Sequence, residues 1–350
     1  MYTSSATTNR SFLDFSSDTA TRPTDPMRQF MAFAPVGDDQ RGEDPTVNEL
    51  QETAATLLGK PAALFLPSST MANQIAIRAQ TRPGDEVYCH EFAHIRLYEG
   101  GGPALLSGVQ LCPLPGNSGN IAPDALRGTV RPYDPHYARP RLLCLENTNN
   151  HMGGTVLSHE ATSKVTDAAR DLGLTCHLDG SRLLNAAVAS GVFASVLAAP
   201  FESVTLCLSK GLGAPVGAIL AGEEAFITEA RHWKHVFGGA MRQAGIIAAG
   251  GLFALRHNIE RLAEDNSNAQ KLAHGLAQIP GVRLDPAPET NLLFVNIAGT
   301  GLSGDEAQAR LLERGIRCSG GGERLRFVTH LDVSAADVDA AIAAAKDAWR

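Results

Sequence analysis

The sequence predicts an α/β fold: a large domain on a mostly parallel mixed sheet covered by helices, then a small α+β C-terminal domain. Two observations carry the prediction. Short apolar runs alternate with helical patterns from about residue 45 to 250, and that alternation builds a parallel sheet covered on both faces. After about residue 255 the pattern changes, and 350 residues suit one large domain plus a smaller one.

Ala62, Ala63, Leu64, Phe65 and Leu66 read as the first strand, residues 67–70 as a turn, and residues 71–79 as a helix. Strands follow at 86–89 and 141–145, the latter ending at Glu146 and Asn147. Val165, Ala168, Ala169 and Leu172 share one face of a helix over 159–172. Apolar runs at 174–178, 204–208 and 216–220 supply three more strands. A long helix over residues 252–276 is expected to lead into the small domain. That domain has strands at 291–296 and 325–328 and a closing helix over 334–349, where Ser334 and Asp337 have the spacing of a capping box. The expected division is a mobile, polar tail over 1–11, a large domain over 12–255 and a small domain over 256–350.

Composition narrows the function. The net charge of -7 offers no basic footprint for nucleic acid. No apolar run is long enough to span a membrane, and residues 1–11 lack the apolar core of a signal peptide. The six cysteines contain no Cys-x-x-Cys, and most lie in apolar runs. Buried, reduced thiols in a cytoplasmic protein are therefore expected. The eleven histidines show no metal-ligand spacing, so no metal is assigned.

Lys210 and Asp179 carry the chemistry. Each follows an apolar strand, at the carboxyl end where ligand sites form in open α/β sheets. Lys210 precedes Gly211, Gly213 and Pro215, and glycine lets backbone approach a ligand closely. A lysine for a Schiff base and a carboxylate for a pyridinium nitrogen are what pyridoxal 5'-phosphate (PLP) chemistry requires. Ser68, Ser69 and Thr70 join a strand to a helix, where hydroxyls and free N–H groups hold an anion. The same residues would serve as ordinary N-caps. His94 follows the second strand and His136 lies in a loop; either could act as a base near neutral pH. Arg182 and Arg326 could each grip a carboxylate through a bidentate fork.

These residues lie in a pattern that resembles the L-threonine aldolases of the β-eliminating lyase group. The resemblance runs through nearly the whole chain after the tail. Its segments include Ser17-Asp18-Thr19, Gly42-Glu43-Asp44-Pro45-Thr46, Thr70-Met71-Ala72-Asn73-Gln74, Tyr98-Glu99-Gly100-Gly101, His177-Leu178-Asp179-Gly180, Ser209-Lys210-Gly211, and Met241-Arg242-Gln243. It implies the PLP-dependent, aspartate-aminotransferase-like fold (fold type I) and a homodimer or homotetramer. The implied reaction is reversible cleavage of L-threonine, L-allo-threonine and related β-hydroxy-α-amino acids to glycine and an aldehyde. By the same resemblance, Lys210 carries PLP, Asp179 binds its ring nitrogen and His94 stacks on the ring. Ser69 and Thr70 hold the phosphate. His94 and His136 stand near the substrate hydroxyl, Ser17, Arg182 and Arg326 bind its carboxylate, and Arg242 reaches a neighbouring subunit's site.

The chain departs from the family pattern at Arg41 (usually Tyr), Ser69 (usually Gly), Ser181 (usually Ala), Asn149 (often His), His235 (often Lys) and Ala240 (often Gly). These positions bear on pocket shape and charge more than on reaction type. The alternatives are elimination by a related fold-type I lyase, an aldolase preferring bulky substrates such as phenylserine, and a PLP-binding protein without turnover.

Overall fold

Seven apolar segments of the chain form one sheet in the computed structural model, which describes residues 12–132 and 134–349. They are β1 (Ala62–Leu66), β2 (Asp85–His90), β3 (Gln110–Leu114), β4 (Arg139–Glu146), β5 (Thr175–Gly180), β6 (Ser203–Cys207) and β7 (Ala218–Gly222). Their spatial order is β1–β7–β6–β5–β4–β2–β3. All run parallel except β7, which is antiparallel to both neighbours. The tail expected over 1–11 lies outside the described residues.

Strand alternation explains why both faces need cover. In β1, Leu64 and Leu66 pack with Ala72, Ile75 and Ala76 of the helix Ser69–Gln80 and with Ile227 and Ala230 of the helix Glu224–Val236. Ala63 and Phe65 point the other way, into the large core built with Val47, Leu50 and Ala54 of the helix Pro45–Leu58. The two-residue period of a strand thus distributes one apolar run between two layers. Sequence reading passed over β3. It contains Pro113, is only partly buried and pairs solely with β2, at the sheet edge where a proline is tolerated.

The long helix expected over 252–276 is two helices, Gly245–His257 and Leu262–Leu276. Asn258 caps the first, and its Nδ2 donates to Leu212 O at 2.7 Å. The side chain thereby ties the break to the loop that follows Lys210, a long-range contact that helical periodicity does not reveal.

Beyond the break, β8 (Arg283–Leu284), β9 (Leu292–Asn296), β10 (Ser319–Gly321) and β11 (Arg324–Val328) form an antiparallel sheet in the order β10–β11–β9–β8. The closing helix is Ala335–Ala348, with both halves of the Ser334–Asp337 capping box formed. The N-terminal segment joins this unit: Leu13–Asp14 pairs in parallel with Ile316–Arg317, and Phe15 is buried in the same core. Ser16, Ser17 and Asp18 follow directly, at the junction with the large sheet.

Candidate active site

The carboxyl ends of β4, β5 and β6 and the strand β11 enclose a cavity of about 520 Å³. Ser17, His94, Arg182, Lys210 and Arg326 line it together, so five residues named from sequence meet in one place. Lys210 stands three residues past β6. Gly213 N donates to Lys210 O at 2.8 Å in the turn that follows, with Gly213 at φ 80°. That left-handed conformation is open to glycine and strained for other residues.

Asp179 is not itself on the cavity lining; it lies behind His94, with which it lines a small adjoining pocket. It is buried near the end of β5, beside Glu146 of β4 in the sheet register. Its Oδ1 accepts from Ser181 N at 3.1 Å and Ser181 Oγ at 2.7 Å, and its Oδ2 accepts from Asn73 Nδ2 at 2.8 Å. The departure at Ser181 therefore adds a donor to this carboxylate. Burial pushes Asp179 up, but the charges of His94 and Lys210 and these donors hold it below the usual carboxylate range. Glu146 goes the other way. Burial, then the charge of Asp179, raises it to about 7, although it accepts from the backbone N–H groups of Asn150 and His94.

His94 opens a four-residue helix, and its Nδ1 lies 2.9 Å from Glu99 Oε1. Burial opposes protonation, but the Glu99 hydrogen bond and the charges of Asp179, Glu99 and Glu146 raise the imidazole above its ordinary value. Ring nitrogen and carboxylate oxygens of His94, Glu99 and Asp179 lie within 4.8 Å of one another.

Across the cavity, two guanidinium groups face the same space. Arg182 Nε and Nη2 donate to the two oxygens of Asp18, both at 2.7 Å, and the pair is buried. Arg326 Nη1 donates to Ser16 O at 2.8 Å and Nη2 to Asn150 Oδ1 at 2.9 Å. Its Nε is buried without a partner. Burial and the neighbouring Arg182 charge lower Arg326 to about 10, so it remains a cation at neutral pH. Asp18 neutralises one arginine and the other is left for an anion.

At the start of the helix Ser69–Gln80, Ser68 is the N-cap, its Oγ accepting from Met71 N at 3.2 Å. Ser69 Oγ is buried and has no partner. An orphaned hydroxyl beside the unpaired N–H groups of a first helical turn is the donor set a phosphate takes.

Ser69 and Thr70 are not on the cavity lining, and two further expected residues lie on exposed surface elsewhere. His136 is on an exposed turn, hydrogen-bonded to Asp134 at 2.7 Å, and is not among the cavity-lining residues. Arg242 is exposed and pairs with Asp38 at 3.0 Å, also away from the cavity. Conversely, Asp18, Asn73, Glu99 and Asn150 act at the site but were not singled out from sequence. The first three sit within segments that carried the resemblance, yet nothing in their local composition marks them as buried partners. Tyr98, His151, Phe294 and Arg324 complete the wall. Tyr98 Oη lies 3.0 Å from His151 Nδ1, and His151 stacks on Phe92.

Comparison with known proteins accords with this geometry. The Beta-eliminating lyase family profile matches residues 14–300. Low-specificity L-threonine aldolase 1 of Arabidopsis thaliana is 41% identical over 335 residues, covering 93% of each chain. The low specificity L-threonine aldolase of Escherichia coli K12 is 41% identical over 327 residues, covering 92% of this chain and 95% of that one. A solved threonine aldolase structure from Leishmania major superposes with a TM-score of 0.83 at 20% identity, covering 96% of this chain and 99% of the other. That likeness extends over both the seven-stranded sheet and the C-terminal unit and shows the aspartate-aminotransferase-like, fold type I architecture. With profile, relatives and fold agreeing along almost its whole length, the chain belongs to the β-eliminating lyase family, alongside the low-specificity L-threonine aldolases.

Proposed function

We propose that this chain is a PLP-dependent lyase that cleaves L-threonine, L-allo-threonine and related β-hydroxy-α-amino acids to glycine and an aldehyde. The observation that carries the reading is one cavity lined together by Lys210, His94, Arg182 and Arg326, with buried Asp179 within 4.8 Å of the His94 ring nitrogen. The residues fit the cofactor: Lys210 for its aldehyde, ionised Asp179 for its ring nitrogen, and the orphaned Ser69 hydroxyl with Thr70 for its phosphate. Bound PLP supplies a sink for the electron pair left at Cα when a bond there breaks.

The chain's own residues select which bond that is. Arg326, with Ser17, holds the substrate carboxylate, and Arg182 adds its Nη1, which otherwise donates to Asn150 Oδ1 at 3.4 Å. Fixing the carboxylate fixes rotation about the nitrogen–Cα bond and would thereby select Cα–Cβ as the bond that breaks. His94 gives its Nδ1 proton to Glu99 in a hydrogen bond, which leaves Nε2 to take the proton of the β-hydroxyl. Loss of that proton and cleavage of Cα–Cβ release the aldehyde, and a proton delivered to Cα gives glycine.

A second reading, preference for bulky β-substituents such as phenylserine, is favoured by Tyr98, His151 and Phe294 on the wall. The finer assembly belongs here too. We propose a homodimer or homotetramer in which Arg242, exposed and away from the cavity, serves a neighbouring copy's site. Exposed Phe33, Leu105 and Phe193 supply apolar surface for such contacts. We place the division into large and small domains near Asn258. A cytoplasmic location is supported by six unpaired cysteines, five of them buried; no helix among the described residues is long and apolar enough to cross a membrane.

The test is product identification with PLP-loaded protein and L-threonine, L-allo-threonine and L-phenylserine. Glycine with the matching aldehyde supports the proposal, and relative rates decide between the two readings. Ammonia with a keto acid overturns it in favour of an eliminating lyase.

A further inference from the structure

We propose that Gln80, Ser203, His177 and Asn73 form a one-way chain of hydrogen-bond donors that fixes the charge of Asp179, and that they are positioning residues for cofactor binding. The proposal rests on the site reading given above.

The chain starts at a backbone carbonyl. Gln80 Nε2 lies 2.9 Å from Ala76 O and 2.9 Å from Ser203 Oγ. A carbonyl only accepts, so the amide nitrogen faces it, and the second N–H is given to Ser203. Having accepted there, Ser203 Oγ turns its own proton toward His177 Nδ1 at 2.9 Å. His177 and Ser203 are register partners on β5 and β6, which sets that distance. An imidazole that accepts at Nδ1 carries its proton on Nε2, and Nε2 lies 3.2 Å from Asn73 Oδ1. Both Asn73 N–H groups are then free for Glu99 Oε1 and Asp179 Oδ2, each at 2.8 Å.

The far end enforces the same direction. A reversed Asn73 amide would aim its oxygen at two carboxylates. Asn73, His177 and Ser203 are fully buried, so no water replaces a lost link. Burial also holds His177 neutral, near 4, which keeps one ring nitrogen accepting and the other donating across the working pH range. Asn73 and Gln80 are seven residues apart on one helix, two turns on the same face. The helix therefore grips the sheet with two amides and transmits one donor direction between them.

The consequence lies in the acids. Oxygens of Glu99 and Asp179 are within 4.8 Å in a buried site. Like charges that close drive one group to take up a proton. The Asn73 N–H pair stands between them and donates to both carboxylates. The titratable groups that face Asp179 are His94, Glu99, Cys144, Glu146, His177 and Lys210. Only the donor chain bears on its Oδ2 with a neutral partner.

The experiment follows protonation of the ring nitrogen by magnetic resonance, using isotope-labelled PLP in wild-type holoenzyme, Ser203→Ala and Asn73→Leu. PLP affinity is measured alongside. Ser203→Ala is expected to lower the ring-nitrogen titration by about one pH unit, with about tenfold weaker PLP binding, and Asn73→Leu to move both at least as far. A structural role alone would leave the titration in place. Unchanged titration and affinity in Ser203→Ala, over a wild type whose ring nitrogen is protonated at neutral pH, overturns the proposal and leaves the site reading standing. That variant removes a single oxygen, so it decides the matter even if Asn73→Leu does not fold. A wild type that takes up no PLP, or holds it unprotonated at neutral pH, overturns both.

Discussion

Exchanging Glu99 for glutamine removes one charge beside His94 while leaving each hydrogen bond a partner. Glu99 Oε1 accepts from His94 Nδ1 at 2.9 Å and Asn73 Nδ2 at 2.8 Å, and Oε2 accepts from Gln74 Nε2. Gln74 Oε1 is buried and unpartnered. In Glu99→Gln the Gln74 amide turns over, and its oxygen accepts the new N–H. The change is then one of charge and not of packing. A charge at hydrogen-bond distance shifts a partner by about 1–3 pH units. Asp179 and Glu146 still act on the ring, and the His94 side chain is 28% exposed, so a fall of about one unit is expected. His94 works as a base only when neutral. Its raised value therefore places the acid limb of the rate profile above the ordinary imidazole range, and activity is lost as pH falls through it. Glu99→Gln should move that limb about one unit lower, giving about tenfold faster cleavage on the acid side. The weaker base should cost about threefold on the plateau, so the two profiles cross. The assay is kcat/KM for aldehyde release from L-threonine between about pH 5 and 9. A variant whose plateau falls while its acid limb stays fixed would refute the assignment of His94 as the base coupled to Glu99.

Lys210→Ala should leave turnover undetectable in the same assay; near-normal turnover would remove Lys210 from the chemistry. Asp18→Asn breaks a buried bidentate pair with Arg182, which costs about 3 kcal/mol. At about 2.1 cal/mol/K per residue that lowers Tm by ~4 °C in calorimetry, and an unchanged Tm would show the pair to be loosely held. His136→Ala should keep kcat/KM within about twofold if catalysis depends on the cavity of one chain, because a surface substitution perturbs little. A hundredfold loss would instead show that the exposed turn completes a neighbouring copy's site.

The fold was legible because most of its central strands are buried. β1, β5, β6 and β7 lie in largely apolar runs, and Asp179 and Lys210 are polar residues near or just past the strand ends, where the chain leaves the core. β3 was not legible, because a half-exposed edge strand with a proline has neither run nor alternation. Nor was the break at Asn258, which depends on a carbonyl at Leu212 that sequence does not place nearby. The same limit applied within the site. Lys210, Asp179, Arg182 and Arg326 announced themselves by type and position. Asp18, Asn73 and Glu99 did not, since a buried acid or amide looks like a surface one until its partner is known.

The strand Leu13–Asp14 has a consequence for how this protein comes to life on the ribosome. Ser16 O accepts from Arg326, 310 residues further along the chain, and Leu13–Asp14 finds its β-partner only at Ile316–Arg317. Leu13 and Asp14 are thus synthesised early and are among the last to settle. The seven-stranded sheet can collapse while the C-terminal unit is still unmade, but the carboxylate grip cannot assemble until Arg326 has emerged to meet Ser16. Contacts this far apart in sequence form slowly. A nascent or C-terminally shortened chain would hold a folded sheet without a working grip, and competence would arrive as a single late event.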